Sequence, residues 1–286
     1  MREIITKLLR KKYFFLFFII GGLSFFSCRK ENVIAPSAFT KEKREMLGDQ
    51  IRIAIASDSI NFPILSRNSQ ADSAYWYIQK LYNQANNVYK IDGQSVIGDR
   101  WDRNREWLVT ILHLDNIKTA FTTPGGHMYI STGLLKSLEK EYELYYILTF
   151  EAILMHEKYL LNRLINEFNT NTLNNLVQGI PPAFGSSTLL DVSMMLGELK
   201  FDETMTSEMD ELAVSLICQT SIFDRTGIIS IMDLLDEVDT KWMQTRISYD
   251  YRNQEDYILN LPIVSGGDCG SFKSNGGYQK YVLDRL

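Results

Sequence analysis

Residues Glu143 to Leu154 read ELYYILTFEAIL. The period around them is helical. From Gly133 to about Phe168 apolar residues recur at three- and four-residue spacing, with one break expected on the way. Residues i and i+4 share a helix face, so Phe150 and Leu154 stand together, with Glu151 one step beyond Phe150. Two readings of Glu151 are open. It is a solvent-facing charge on an apolar helix, or it is buried. A buried carboxylate is costly alone, so the second reading requires water, a cation or an arginine beside it.

Working outward, the period changes on the N-terminal side. EWLVTILHLD (106–115) is apolar and β-branched, and TAFTT and HMYIST are short strand-like runs separated by Pro124-Gly125-Gly126, a turn signal. These runs predict a small antiparallel sheet beside the long helix. Further upstream, 41–53 and 69–90 read as helices. The second carries the stripe Ala74, Tyr77, Ile78, Leu81 and Tyr82, with Ser69 or Asp72 as its cap. Downstream, NTNTLNNLVQGIPPAFGSS (169–187) reads as irregular. SEMDELAVSLICQTSI (207–222) reads as a helix capped by Ser207, 227–239 as another, and the end as a Gly-rich loop with a short final helix. The fold class is α+β, mainly α.

The N-terminus is of another kind. MREIITKLLRKK is basic, YFFLFFIIGGLSFF is an uncharged apolar run, and Ser27-Cys28 follows. This is the layout of a secretory signal, and the run is short for a membrane-spanning helix. LSFFSC resembles a lipobox, with Phe25 where Leu is usual. The expected division is a lipoprotein signal peptide over 1–27, a tether over 28–40 beginning at a lipidated Cys28, and a folded domain over 41–286. The signal carries five basic residues against one acid, so its removal takes the net charge from −5 to −9. An acidic body excludes electrostatic docking on anionic lipid as the means of attachment, and it carries no nucleic-acid footprint. Attachment then rests on acyl chains, two of which anchor where one does not. Arg29, not Asp, follows Cys28, which allows an outer-membrane site on the bacterial cell envelope. Cys218 and Cys269 remain. They form one bridge or stay as buried thiols, and the second reading is preferred.

Three segments, in order, resemble the HtpX- and BepA-type zinc metallopeptidases, a gluzincin family. TAFTTPGGHMYISTGLL (119–135) matches the family's N-A-F-x-x-P-G-G, apolar strand and T-G-L-L, with Thr119 in place of Asn. EYELYYILTFEAIL matches its H-E-x-x-H helix at Glu143, Leu144, Leu148 and Glu151, but Phe150 and Leu154 stand where the family has histidine. SEMDELAVSLI matches its E-A-D segment at Glu208 and Asp210. The resemblance covers about 107–247.

That resemblance implies a gluzincin-like catalytic domain in which Glu151 is the vestigial general base and Phe150, Leu154 and Glu208 hold the vestigial metal positions. Zinc in such sites takes three protein ligands. Phe and Leu have no lone pair to give, so no cofactor is expected. Zinc would return only if His127, His113 or His156 rebuilt the site. The resemblance also implies a substrate groove along His127, Met128, Tyr129 and Ile130, the strand whose edge pairs with an extended substrate. The expected function is a membrane-anchored, non-catalytic relative that binds envelope proteins or extended peptides in that groove. An active metallopeptidase with an unusual metal site and a structural or assembly lipoprotein are the alternatives.

Overall fold

Thr40 opens the first helix by accepting a hydrogen bond from the Lys43 amide at 3.3 Å, which satisfies one of the orphan donors of a helix start. The computed structural model describes residues 39–88, 90–91, 94–95, 108–179, 187–219, 240–246, 259–260 and 277–286. All lie in one unit, Ser37–Leu286. The segment expected to be a signal peptide, the expected tether with Cys28 up to residue 38, the helix expected over 227–239 and the Gly-rich stretch with Cys269 fall outside the described residues.

Besides a two-residue hairpin (Lys90–Ile91 with Gln94–Ser95) and a closing 3-10 helix (Leu283–Arg285), the elements in chain order are helices α1 (Lys41–Ser57) and α2 (Ala71–Val88), strands β1 (Val109–Leu112), β2 (Ala120–Thr122) and β3 (Met128–Ser131), then helices α3 (Thr132–Ser137), α4 (Glu141–His156), α5 (Tyr159–Phe168), α6 (Thr170–Val177), α7 (Ser187–Leu196), α8 (Glu203–Gln219), α9 (Lys241–Arg246) and α10 (Gly277–Tyr281). The fold is α+β and mainly helical. The expected α2 stripe is buried in full: Ala74, Tyr77, Ile78, Leu81 and Tyr82 all belong to the core. Its cap is Asn68, whose side chain accepts from the amides of Gln70 and Ala71, not Ser69 or Asp72. Helix α8 starts before the expected Ser207, because the Asp202 carboxylate accepts from the Met205 amide and caps it there. The stretch expected to be irregular contains α6. Leu173, Leu176 and Val177 are buried at three- and four-residue spacing, a stripe hidden by its asparagine-rich composition.

The helical run from Gly133 divides into α3, α4 and α5. Glu143 helps to set the second start, since its carboxylate accepts from the amides of Glu139 and Lys140. Lys158, with φ +63°, turns the chain between α4 and α5. Helix α4 is buried along its length from Glu141 to Met155. It packs against α2, α8, α5 and β2. A helix that is apolar on all sides has to be enclosed in this way. Cys218 on α8 is fully buried and disulfide-bonded, so the preferred reading of free thiols is corrected for this residue.

The three-stranded sheet is mixed, not antiparallel as expected. Its order is β1-β3-β2. Strand β2 pairs antiparallel to β3, with Phe121 opposite Tyr129, across the Pro124-Gly125-Gly126 turn. Strand β1 pairs parallel to β3, with Val109 opposite Met128 and Leu112 opposite Ser131. The reason lies in the connection between β1 and β2, which arches past the end of β3 instead of turning back beside β1. Gly133 makes the arch possible. Its amide donates to Leu114 O at 3.0 Å, and a Cβ there would meet Asp115 O at 2.5 Å and both Leu114 O and Ile117 O at 2.8 Å. Helix α1 closes over the opposite end. Gly48 on α1 and Gly125 in the turn are packed backbone to backbone, and a Cβ on Gly48 would stand 2.5 Å from Gly125 Cα.

Gly133→Ala is therefore expected to force the arch off the sheet. Overpacking against backbone that cannot rotate away costs about 1–3 kcal/mol. The expected reading is a Tm several degrees below the parent in a thermal melt. An unchanged Tm would remove the arch from this account of the sheet order.

Candidate functional site

Glu151 is on the inner part of α4 and is fully buried. Its carboxylate accepts four hydrogen bonds. Oε2 takes the Thr122 amide at 3.0 Å and the Thr122 hydroxyl at 3.3 Å, and Oε1 takes Trp242 Nε1 at 2.9 Å and Arg246 Nε at 2.8 Å. Of the two readings open in the sequence, burial holds, and the partner is an arginine. Arg246 is itself fully buried. Its remaining donors go to Leu199 O at 2.9 Å and Leu196 O at 3.0 Å, at the end of α7. Guanidinium near the C-terminal carbonyls of a helix also meets the negative end of the helix dipole.

Trp242 and Arg246 are four residues apart on α9, so both side chains leave the same face toward α4. Thr240 caps this helix by accepting from the Met243 amide at 3.1 Å. The Trp242 amide donates to Lys118 O at 3.0 Å, which ties α9 to the chain entering β2. The indole packs edge-on against Phe150, with ring centroids 5.4 Å apart, and against Tyr146 at 6.3 Å. Phe150 and Leu154 are both fully buried. The volume beside Glu151 is filled with aromatic and aliphatic carbon.

Glu208 is not part of this cluster. It is exposed on α8, and its carboxylate accepts from the Tyr159 hydroxyl at 3.4 Å. The buried residues of α8 are Thr206, Met209, Asp210, Ala213, Val214, Leu216, Ile217 and Cys218. Two helix steps turn a side chain by about 200°, so Glu208 and Asp210 cannot both point at α4. The carboxylate that meets α4 is Asp210, which accepts from the Tyr146 hydroxyl. The expectation that Glu208 lies with Phe150 and Leu154 is thus corrected.

The three histidines sit apart, each with its own partner. His127 follows the turn, under α1, with Nε2 3.2 Å from Asp49 Oδ1. His113 is exposed just after β1, and its amide donates to Pro63 O at 2.6 Å. His156 ends α4, with Nε2 3.0 Å from Asn86 Oδ1. Among the described residues no group of three His, Cys, Asp or Glu side chains is placed to hold a metal ion. The side chains at the expected metal positions do not fit zinc: two lack lone pairs, one is at the surface, and Glu151 is committed to a guanidinium.

The expected groove is closed. His127, Met128, Tyr129 and Ile130 are all buried, and β3 is the middle strand, hydrogen-bonded to β1 on one side and β2 on the other. No edge of β3 remains for an added strand, because β1 pairs in parallel along the side opposite β2. The outer edges carry partners as well. Beside β1, Leu65 donates to Ile111 O, and Tyr75 and Gln79 side chains accept from the amides of Ile111 and Val109. Beside β2, the Thr122 amide is held by Glu151.

Burial governs the titrating groups of this core. It pushes the Tyr82 hydroxyl well above its usual value, and the nearby Glu151 charge adds to the shift. It raises Glu141, to which Tyr77 donates, and it raises Glu143. His156 is pushed down to about 3, by desolvation first and by Arg44 second. Trp242 and Arg246 were missed by sequence reasoning. The signal available was the i, i+4 pair behind a threonine cap in TKWMQTR, with an acid elsewhere in need of a cation. Compared with known proteins, the chain matches no family model and no curated protein.

Glu151→Gln keeps the shape and removes the charge that faces Arg246. Breaking a buried pair by one partner costs about 3–5 kcal/mol. Denaturant unfolding should show that loss, and Glu151→Leu combined with Arg246→Met should recover most of it. A glutamine variant as stable as the parent would show that the pair does not hold the core.

The depressed His156 gives a pH dependence with a definite sign. The unfolded chain binds this proton near the usual 6.5 and the folded chain only near 3. The contribution to stability is present above about 6.5 and is lost as pH falls from 6.5 toward 3. His156→Gln should flatten the stability profile in that window relative to the parent. Parallel profiles for the two proteins would show that His156 titrates normally.

Proposed function

We propose that this chain is an exported, lipid-anchored protein of the bacterial cell envelope: a non-catalytic relative of the HtpX- and BepA-type gluzincins, serving as a structural or assembly lipoprotein. One observation carries the non-catalytic part. Glu151, which the resemblance makes the general base, is fully buried and paired to Arg246 at 2.8 Å. A general base must reach the proton it abstracts and be free to take it. A carboxylate enclosed by Trp242, Phe150 and a guanidinium is neither accessible nor uncommitted.

The same packing favours the assembly reading over peptide capture in the old groove. Strand addition draws on free backbone donors and acceptors at a sheet edge. Strand β3 has none left, and the outer edges beside it are occupied by the chain's own groups. The disulfide at Cys218 supports export, since such bonds persist in oxidising compartments. The basic segment, short apolar run and Ser27-Cys28 support lipidation.

The test uses the full chain, purified without added metal. The expected result is acyl label at Cys28 that Cys28→Ala abolishes, sub-stoichiometric zinc, and no cleavage of a peptide library with or without chelator. Chelator-sensitive cleavage would overturn the non-catalytic reading. Unchanged acyl labelling in the Cys28→Ala variant would overturn the lipoprotein reading.

A further inference from the structure

Cys218 lies in the last turn of α8, fully buried and disulfide-bonded. The chain has three cysteines, so its partner is Cys28 or Cys269. Two observations separate them. Cys218 and Cys269 fall in the same compact unit, Ser37–Leu286, while Cys28 falls in the other, Met1–Pro36. The chain is also held to the body on both sides of Cys269. Before it in sequence Leu259 packs against the core, and after it Tyr278 is buried, with its hydroxyl donating to Leu135 O at 2.7 Å. Lipidation at Cys28, as proposed above, would occupy the remaining sulfur.

The span from Cys218 to Cys269 contains α9, with Trp242 and Arg246 near its middle. Helix α9 has six residues. Isolated helices shorter than about 12–15 residues are marginal in water, so α9 exists by virtue of its seat. That seat is made of the bonds from Trp242 and Arg246 to Glu151, those from Arg246 to Leu196 and Leu199, and the bond from the Trp242 amide to Lys118 O. A cross-link that closes the span into a loop limits how far α9 moves when it leaves that seat, and it restricts the unfolded chain as well.

We infer that Cys218 is bridged to Cys269 and that this bond closes a loop around α9, so that a covalent tie keeps Arg246 opposite Glu151. The inference rests on the lipid-anchored reading, which places the chain in an oxidising compartment and takes Cys28 out of exchange. In forming the bond the two thiols give up two protons and two electrons. One thiolate attacks the disulfide of an envelope thiol–disulfide oxidoreductase, which gives a mixed disulfide and frees one of the enzyme's thiols. The other cysteine then attacks the mixed disulfide and frees the second, so the enzyme leaves as its dithiol with both electrons.

Peptide mapping of full-length protein, extracted from membranes and alkylated without reduction, tests the pairing. The expected result is a cross-linked species joining the Cys218 and Cys269 peptides, with acyl label on the Cys28 peptide. A Cys28–Cys218 link would overturn this inference and the lipid anchor together. Cys218 recovered alkylated, or linked to a second copy of the chain, would overturn the inference alone. A Cys218–Cys269 link beside an alkylated Cys28 would overturn the anchor and leave the bridge standing. Hydrogen exchange in the parent and in Cys269→Ser tests the loop. The amides of Trp242, Met243 and Gln244 are hydrogen-bonded in the parent and should exchange about tenfold faster or more in the variant. Amides of α6, which lies outside the loop, should change less. No acceleration in α9, or equal acceleration in α9 and α6, would overturn the tie to α9.

Discussion

The hydrogen-bonded ion pair between Glu151 and Arg246 organises the centre of this protein. Both groups are taken out of water, which leaves each dependent on the other. The carboxylate holds strand β2 through Thr122 and helix α9 through Trp242, while the guanidinium holds the chain at and after the end of α7 through Leu196 and Leu199. Four segments far apart in sequence thus meet at two side chains. A pair of this kind adds little over well-packed apolar residues in net stability. What it adds is a directional requirement. Helix α9 must arrive with Trp242 and Arg246 on its inner face, and β2 must offer the Thr122 amide outward from the sheet.

The sheet obeys the same logic of enclosure. Three short strands cannot stand as an open sheet in water, because each outer edge leaves amides and carbonyls that need partners. Here residues 63–65 and the side chains of Tyr75 and Gln79 serve β1, and Glu151 serves β2. The buried acid is therefore also an edge cap. Its second oxygen does for Thr122 what a fourth strand would do. This explains how α4 approaches β2 so closely with only alanine, phenylalanine and threonine in that strand.

Local pattern made part of this readable. The α2 stripe, the Pro-Gly-Gly turn, the β2–β3 hairpin and the long helix with Glu151 each follow from spacing or turn chemistry within a few residues. Some misreadings are local, such as the Asn68 and Asp202 caps and the asparagine-rich helix α6; the ones that alter the site concern where distant segments meet. The parallel pairing of β1 depends on an arch whose only local trace is Gly133, and a lone glycine does not say what crosses it. Asp210 and Glu208 are two residues apart, so a motif match selects one while helix phase, read from Met209, Ala213 and Val214, selects the other. That phase is legible in the sequence. The Trp242–Arg246 pair behind its threonine cap is visible in the sequence, but nothing there singles out Arg246 among the chain's arginines as the partner of Glu151.

On the proposed reading, the retention of Glu151 beside Phe150 and Leu154 has a physical cause that does not involve catalysis. A carboxylate at this place caps β2 regardless of what chemistry surrounds it. Removing metal ligands from such a site takes away a cation, and the carboxylate then requires another. Arg246 supplies one with a fork of donors, two of which close the carbonyls of Leu196 and Leu199. Lysine in its place would bring a point charge but not the three-way geometry. The residues at 150 and 154 are then free to become large and apolar, and Trp242 packs edge-on against the first of them. The acid, the arginine and the aromatic filling form one solution, in which a change to any of the three leaves a buried charge or a cavity.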